Sequence, residues 1–155
     1  MIILGDVSEA VIVHRCNEDS VEINSRWISL AKRKPQNGTT YYFTAVGTGF
    51  KSTKLNNPYR YNKNDTQKDI IWVDEENTPI LALFRPNESG IQAALQVKTT
   101  SDGKKYVLPD LIRWRYEHPI AYISMKDDYY EVLEEANKKL AESGEKEFVD
   151  GETNY

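Results

Sequence analysis

Apolar and polar positions along this chain follow two periods, and the changes between them mark its elements. Three runs of strand length stand close together: Asp69-Ile70-Ile71-Trp72-Val73, Ile80 to Phe84, and Ile91 to Lys98. Turn residues Glu75-Glu76-Asn77 and Pro86-Asn87-Glu88-Ser89-Gly90 separate them. The alternation is cleanest in the third run, with Ile91, Ala93, Leu95 and Val97 on one face and Gln92, Ala94, Gln96 and Lys98 on the other. Thr40 to Val46 reads as another strand, and Pro119 to Ser124 as an apolar strand of the buried type. Helical spacing is clearest from Asp128 to Ser143, where Tyr129, Val132, Leu133, Ala136 and Leu140 share a stripe.

Other helices are marked by their ends. Asp6 as N-cap with Glu9 three positions on has capping-box spacing, although the β-branched Val11-Ile12-Val13 runs against helix propensity. A second helix is predicted over Val21 to Lys34, through Trp27, Ile28 and Ala31. Its Lys32-Arg33-Lys34 end suits the negative end of a helix dipole. A short helix is predicted over Leu108 to Tyr116, after a turn at Ser101-Asp102-Gly103. Residues 47–68 lack periodicity and read as a long loop insertion, and from Gly144 the chain is an acidic, frayed tail. The element order predicts an α/β (α+β) fold, a small mixed β-sheet flanked by helices.

Length and composition narrow the class. A chain of 155 residues suits one domain, 1–155, with a single core. Hydrophobic residues at 39% with aromatics at 11% place it among globular rather than disordered chains. The apolar start Met1 to Leu4 breaks at Gly5-Asp6, too early for a signal peptide, and no run reaches membrane-spanning length. Cys16 is the one cysteine, which excludes an internal disulfide and a cysteine metal cage. The expectation is an intracellular, cytoplasmic protein with no membrane partner. A net charge of −4 argues against coating nucleic acid by bulk attraction, but the charge is polarised. Between Pro35 and Lys68 the cations Lys51, Lys54, Arg60, Lys63 and Lys68 face one acid, Asp65, whereas acids prevail after Asp127.

The three close strands carry the candidate chemistry. Asp69 opens one, Gln96-Val97-Lys98 closes another, and Gln96 and Lys98 point the same way. Phosphodiester hydrolysis needs a cation to neutralise the phosphate and activate water, and a positive group near the transition state. Mg²⁺ takes one or two carboxylates and keeps several waters. Asp69 is the expected carboxylate, Gln96 and the Val97 carbonyl the neutral oxygens, and Lys98 the group that positions or polarises the attacking water. Mn²⁺ suits the same donors. Asp74, beside Glu75 and Glu76, is the rival acid, but acids at a hairpin tip are usually solvated. His14 and His118 lack metal-ligand spacing.

With these residues the chain resembles the PD-(D/E)XK phosphodiesterase superfamily, the restriction-endonuclease-like fold. The resemblance rests on Gly5-Asp6-Val7-Ser8-Glu9-Ala10, Asp69-Ile70-Ile71, Leu95-Gln96-Val97-Lys98-Thr99-Thr100 and Pro119-Ile120-Ala121-Tyr122-Ile123. It implies a metal ligand at Asp69, the second-motif acid position at Gln96, the motif lysine at Lys98 and an additional metal contact at Glu9. Lys68 stands where the family name expects proline, and Gln96 replaces an acid, so the site carries one negative charge fewer. The implied activity is Mg²⁺-dependent hydrolysis of DNA by an endonuclease, with a homodimer for two-strand cutting. A catalytically inactive nucleic-acid-binding or assembly module of the same fold, or an RNA-cleaving toxin, are the alternatives. The expected nucleic-acid-binding residues are Lys51, Lys54, Arg60 and Lys63, interleaved with Phe50, Tyr59 and Tyr61, together with Arg113 beside Trp114.

Overall fold

The computed structural model describes residues 2–32, 43–65, 68–82, 91–109 and 118–144. In chain order these form α1 (Ile2–His14), a π-helical turn (Arg15–Asp19), α2 (Val21–Lys32), β1 (Thr44–Gly47), α3 (Lys51–Asn56) and a 3₁₀ turn (Pro58–Arg60). β2 (Ile70–Val73), β3 (Ala94–Thr100), α4 (Gly103–Tyr106), β4 (Ile120–Ser124) and α5 (Tyr129–Glu142) follow. The four strands lie in the order β1-β2-β3-β4. β1 and β2 are antiparallel, as are β2 and β3, whereas β3 and β4 run parallel. The fold is therefore a mixed sheet with helices packed on it, as the element order predicted.

Side-chain alternation gives the sheet two covered faces. On one, Ala45, Ile70, Trp72, Leu95, Val97 and Ala121 pack with Ile12 and Cys16 and with Ile28 and Ala31 from the first two helices. Burial pushes the Cys16 thiol up to about 12, so it behaves as a small hydrophobe. The other face carries Val46, Ile71, Val73 and Ala94, then, beyond β3, a second cluster of Val107, Leu108, Val132 and Ala136 against Tyr122. Polar groups fix the first helices to the sheet. The wider π turn brings Asn17 to the outer edge of β1, where its amide donates to Ala45 O (2.9 Å) and accepts from Ala45 N–H (2.8 Å). Asn17 thus occupies the edge position another strand would take. Buried Asn24 donates to Phe43 O (2.9 Å) and accepts from Trp72 Nε1 (2.8 Å).

Several element boundaries depart from the sequence reading. α1 begins at Ile2, so Asp6 lies inside it and is not its N-cap. The cap that does form is Ser20, whose Oγ accepts from Ile23 N–H (3.1 Å) at the start of α2. α2 is described to Lys32, and Arg33, Lys34 and the start of the strand predicted at Thr40 lie outside the described residues. The insertion at 47–68 is not an open loop: it contains α3 and the 3₁₀ turn. The predicted strand 80–84 is described to Ala82 and forms isolated bridges, Val73 with Pro79 and Leu81 with Gln92, with Ile80 N–H donating to Trp72 O (2.9 Å) and Ala93 N–H to Ile80 O (2.7 Å); 83–84 lie outside the described residues. Asp102 is an N-cap rather than a turn residue, accepting from Lys105 N–H (3.1 Å), and opens a short helix not expected from the sequence. The predicted helix from Leu108 is helical at Leu108 and Pro109, and 110–116 lie outside the described residues. β4 is half-buried, with only Ala121 fully enclosed. The tail from 145 lies outside the described residues. No described helix is long and apolar enough to cross a membrane.

Candidate functional site

The site is built where β3 exchanges one neighbour for another. Ala94 and Leu95 pair with β2, whereas Gln96 to Thr100 pair with β4. Asp69 stands at that exchange, one residue before β2. Its N–H donates to Leu95 O (2.9 Å), and its carboxylate Oδ2 accepts from Val97 N–H (2.8 Å). The side chain therefore reaches past the last β2–β3 pair and caps the strand that carries the Gln-x-Lys triplet. In an extended strand a residue's N–H and C=O leave by the same edge. Gln96 N–H turns to β4, bonding Pro119 O (3.0 Å), so the Val97 carbonyl shares the Asp69 edge. Continuing the alternation of β2 by one residue puts Asp69 on the sheet face that holds Ile71, Ala94, Gln96 and Lys98.

Gln96 is the anomaly. The sequence places it on a polar face, yet it is 8% exposed, and its carbonyl Oε1 is buried without a hydrogen-bond partner. Lys98 is half-buried, directly across β3 and β4 from Tyr122. α1 packs on β3, and Thr99 Oγ1 donates to Ser8 Oγ (2.8 Å), which brings the residue before Glu9 to the strand position after Lys98. Glu9 is half-buried and, at helical spacing, continues the stripe of Ile12, Val13 and Cys16, which packs on the Leu95 and Val97 face, opposite the face of Asp69, Gln96 and Lys98. With Asp6 inside the helix, the capping-box role for Glu9 is removed.

The rival acid has a structural task. Asp74 Oδ1 accepts from Glu76 N–H and Thr78 N–H (both 2.9 Å), which closes the turn after β2. Of the expected nucleic-acid cations, Lys51, Lys54 and Lys63 are exposed. Arg60 is half-buried, and its Nε donates to Asn77 O (3.1 Å), so it braces a turn. Arg113 lies outside the described residues. Among the described residues no group of three or more His, Cys, Asp or Glu could hold a metal ion. A metal here would therefore rest on a mixed set: the Asp69 carboxylate, the Gln96 amide oxygen and the Val97 carbonyl. Glu9, expected as a further contact, sits on α1 against the opposite face of the sheet and is not brought to it. One carboxylate with neutral oxygens and waters fits a hard cation such as Mg²⁺. The orphaned Gln96 oxygen is the observation in favour of that fit.

A second polar cluster lies across Lys98 and was not read from the sequence. The Asp128 carboxylate accepts from Tyr122 OH through a short bond, from Ser124 Oγ (2.6 Å) and from Gly103 N–H (3.1 Å). Asp128 N–H returns a bond to Ser124 Oγ (2.8 Å). A Cβ on Gly103 would meet Tyr122 Oη at 2.5 Å and Val132 Cγ2 at 2.7 Å, so glycine is needed for the ring to approach. Burial, then the bond to Asp128, pushes the Tyr122 phenol above its ordinary value. Bonds from Ser124, then Tyr122, hold the Asp128 carboxyl below the usual carboxylate range. The available signal was Asp128 at the helix start; its partner Tyr122 depends on a parallel register that no local pattern encodes. Comparison with protein-family models, with curated proteins and with solved structures finds no match to this chain.

Proposed function

We propose that this protein is a divalent-metal-dependent nuclease that hydrolyses DNA phosphodiester bonds as an endonuclease, with its reacting centre where β3 leaves β2. The observation that carries this reading is the buried, unpartnered Gln96 Oε1 on the strand whose next N–H binds the Asp69 carboxylate. Leaving a buried carbonyl unmet costs about 1–3 kcal/mol. Such a group beside a carboxylate suits an oxygen donor kept for a cation.

In this reading Asp69, Gln96 Oε1 and the Val97 carbonyl would hold Mg²⁺ or Mn²⁺. The ion, when bound, neutralises phosphate charge and lowers the pKa of a water. The bond from Val97 N–H fixes the Asp69 carboxylate, so it need not reorganise when substrate arrives. Lys98, on the face shared with Gln96, holds the attacking water and offsets negative charge growing on the phosphate. Lys51, Lys54 and Lys63 hold the flanking backbone phosphates.

One observation favours a second reading. Gln96 supplies no charge where a second carboxylate would strengthen the site, which suits a nucleic-acid-binding module of this fold that no longer cuts. A cleavage panel separates the two. Wild type and Lys98→Ala are incubated with plasmid DNA, single-stranded DNA and structured RNA, in Mg²⁺ and then Mn²⁺. The nuclease reading expects DNA cleavage that Lys98→Ala loses while keeping its melting temperature. Binding without cleavage in either metal supports the inactive module, and cleavage confined to RNA moves the substrate class.

A further inference from the structure

The insertion between β1 and β2 holds two apolar side chains out in solvent, on a backbone frame tied by hydrogen bonds. Both ends of the segment are tied beside Asp69: Thr48 N–H donates to Asp69 O (2.9 Å) and Thr48 Oγ1 to Lys68 O (2.7 Å). Thr53 Oγ1 donates to Gly47 O (2.6 Å), and Asn57 and Asn77 exchange amide hydrogen bonds of 2.8 and 2.7 Å. On this braced knob Leu55 is 80% exposed and Tyr59 87% exposed. Neither contributes to the core, so their positions are not explained by folding.

Charge indicates the occupant. Lys51, Lys54 and Lys63 of the same insertion are exposed, and Lys51 lies one helical turn from Leu55. The one acid of the insertion, Asp65, is engaged by Lys68, through Nζ at 2.9 Å and the backbone N–H at 3.0 Å. The outward surface is therefore cationic with an exposed ring, the combination that grips a strand whose bases are accessible: cations follow phosphates while the ring stacks on a base. An intact duplex hides its base faces; a single strand, flap or junction presents them.

We infer that the α3–3₁₀ knob is a docking surface for DNA with unpaired bases, in which Tyr59 stacks on a base, Leu55 packs beside it, and Lys51 and Lys54 hold the adjoining phosphates. The inference rests on the nuclease reading for its choice of DNA and names the substrate class of that site. The test measures fluorescence anisotropy of a labelled single strand and of the matching duplex, with EDTA present so that nothing is cut. Wild type should bind the single strand more tightly. Tyr59→Ser should weaken that binding about tenfold or more, with Tyr59→Phe restoring it. The Lys51→Gln, Lys54→Gln double variant should reduce the salt slope by about 1.4, roughly 0.7 per lost phosphate contact.

Wild-type preference for duplex, or Tyr59→Ser and Leu55→Ser binding a single strand as wild type does, overturns the inference. The two readings can fail separately. Single-strand binding that depends on Tyr59, in a protein that cuts nothing, removes the nuclease and leaves the docking surface. Cleavage lost in Lys98→Ala, with single-strand binding indifferent to Tyr59, does the opposite.

Discussion

Two polar clusters flank Lys98, and they are finished to different degrees. Toward β4, the Asp128 carboxylate receives Tyr122 OH, Ser124 Oγ and Gly103 N–H, and links β4 to the starts of α4 and α5. Toward β2, the Asp69 carboxylate receives Val97 N–H, while the neighbouring Gln96 leaves a buried oxygen unmet. Buried polar groups are nearly always satisfied, because the cost of leaving one unmet exceeds the net gain from making it. The closed cluster is explained by the fold it holds. The open one is not, and on the proposed nuclease reading the β2 side is where a cation would be received.

The largest effect should separate the clusters by activity. Asp69→Asn keeps an oxygen to accept from Val97 N–H but removes the charge a metal requires, so cleavage of plasmid DNA should fall by on the order of 10²–10³ with little change in melting temperature. Tyr122→Phe, which alters only the closed cluster, should cut as wild type does. Equal losses in the two variants would erase the distinction between site and scaffold.

Stability should separate them the other way. Asp128→Ala leaves Tyr122 OH and Gly103 N–H without their acceptor and should cost roughly 1.5–3 kcal/mol in urea unfolding. Gln96→Met removes an unmet oxygen at similar volume, so it should be neutral or stabilising by about 1 kcal/mol while cleavage is lost. A residue whose replacement stabilises the fold and abolishes activity is held for function. Gln96→Glu sharpens this further: in EDTA it should lower the melting temperature by setting a second carboxylate near Asp69, and Mg²⁺ should reverse the loss. A Mg²⁺-independent melting temperature for Gln96→Glu would count against any cation at this point.

The clusters also differ in how far the sequence revealed them. That Asp69, Gln96 and Lys98 share one face was legible in part, because a period-2 run fixes which side chains point the same way and an acid opening a strand stands out. Burial of Gln96 was not, since it depends on what covers the second face of the sheet. The β2 strand and the α5 stripe carry local periodicity and were read within a residue or two. α3 was missed because Lys51 to Asn56 has no apolar repeat; tertiary bonds such as Thr53 to Gly47 hold it. The start of α1 was misread because Asp6 and Glu9 have the spacing of a cap while lying inside the helix. The closed cluster joins residues 103, 122, 124 and 128 through the β3–β4 register, which is set by packing across the sheet.

The smallest expected effect concerns pH, and here the signs of the closed cluster are opposed. Asp128 is held below its ordinary value, so its contribution is complete above the unfolded carboxyl value and is lost as the pH falls through the folded one. Tyr122 is raised, so its contribution is complete below the ordinary phenol value of about 10 and is lost as the pH rises through the folded value. The cluster should therefore bound stability on both sides. Asp128→Asn should flatten the acid limb of a melting-temperature profile, and Tyr122→Phe the alkaline limb, each leaving the other limb in place. Tyr122→Phe should cost only about 1 kcal/mol at neutral pH, because the ring still fills its place between Gly103 and Tyr129. An alkaline limb unchanged in Tyr122→Phe would mean that the phenol proton is not held by Asp128 in solution. The contrast between a closed scaffold and an open site would then have to rest on Gln96 alone.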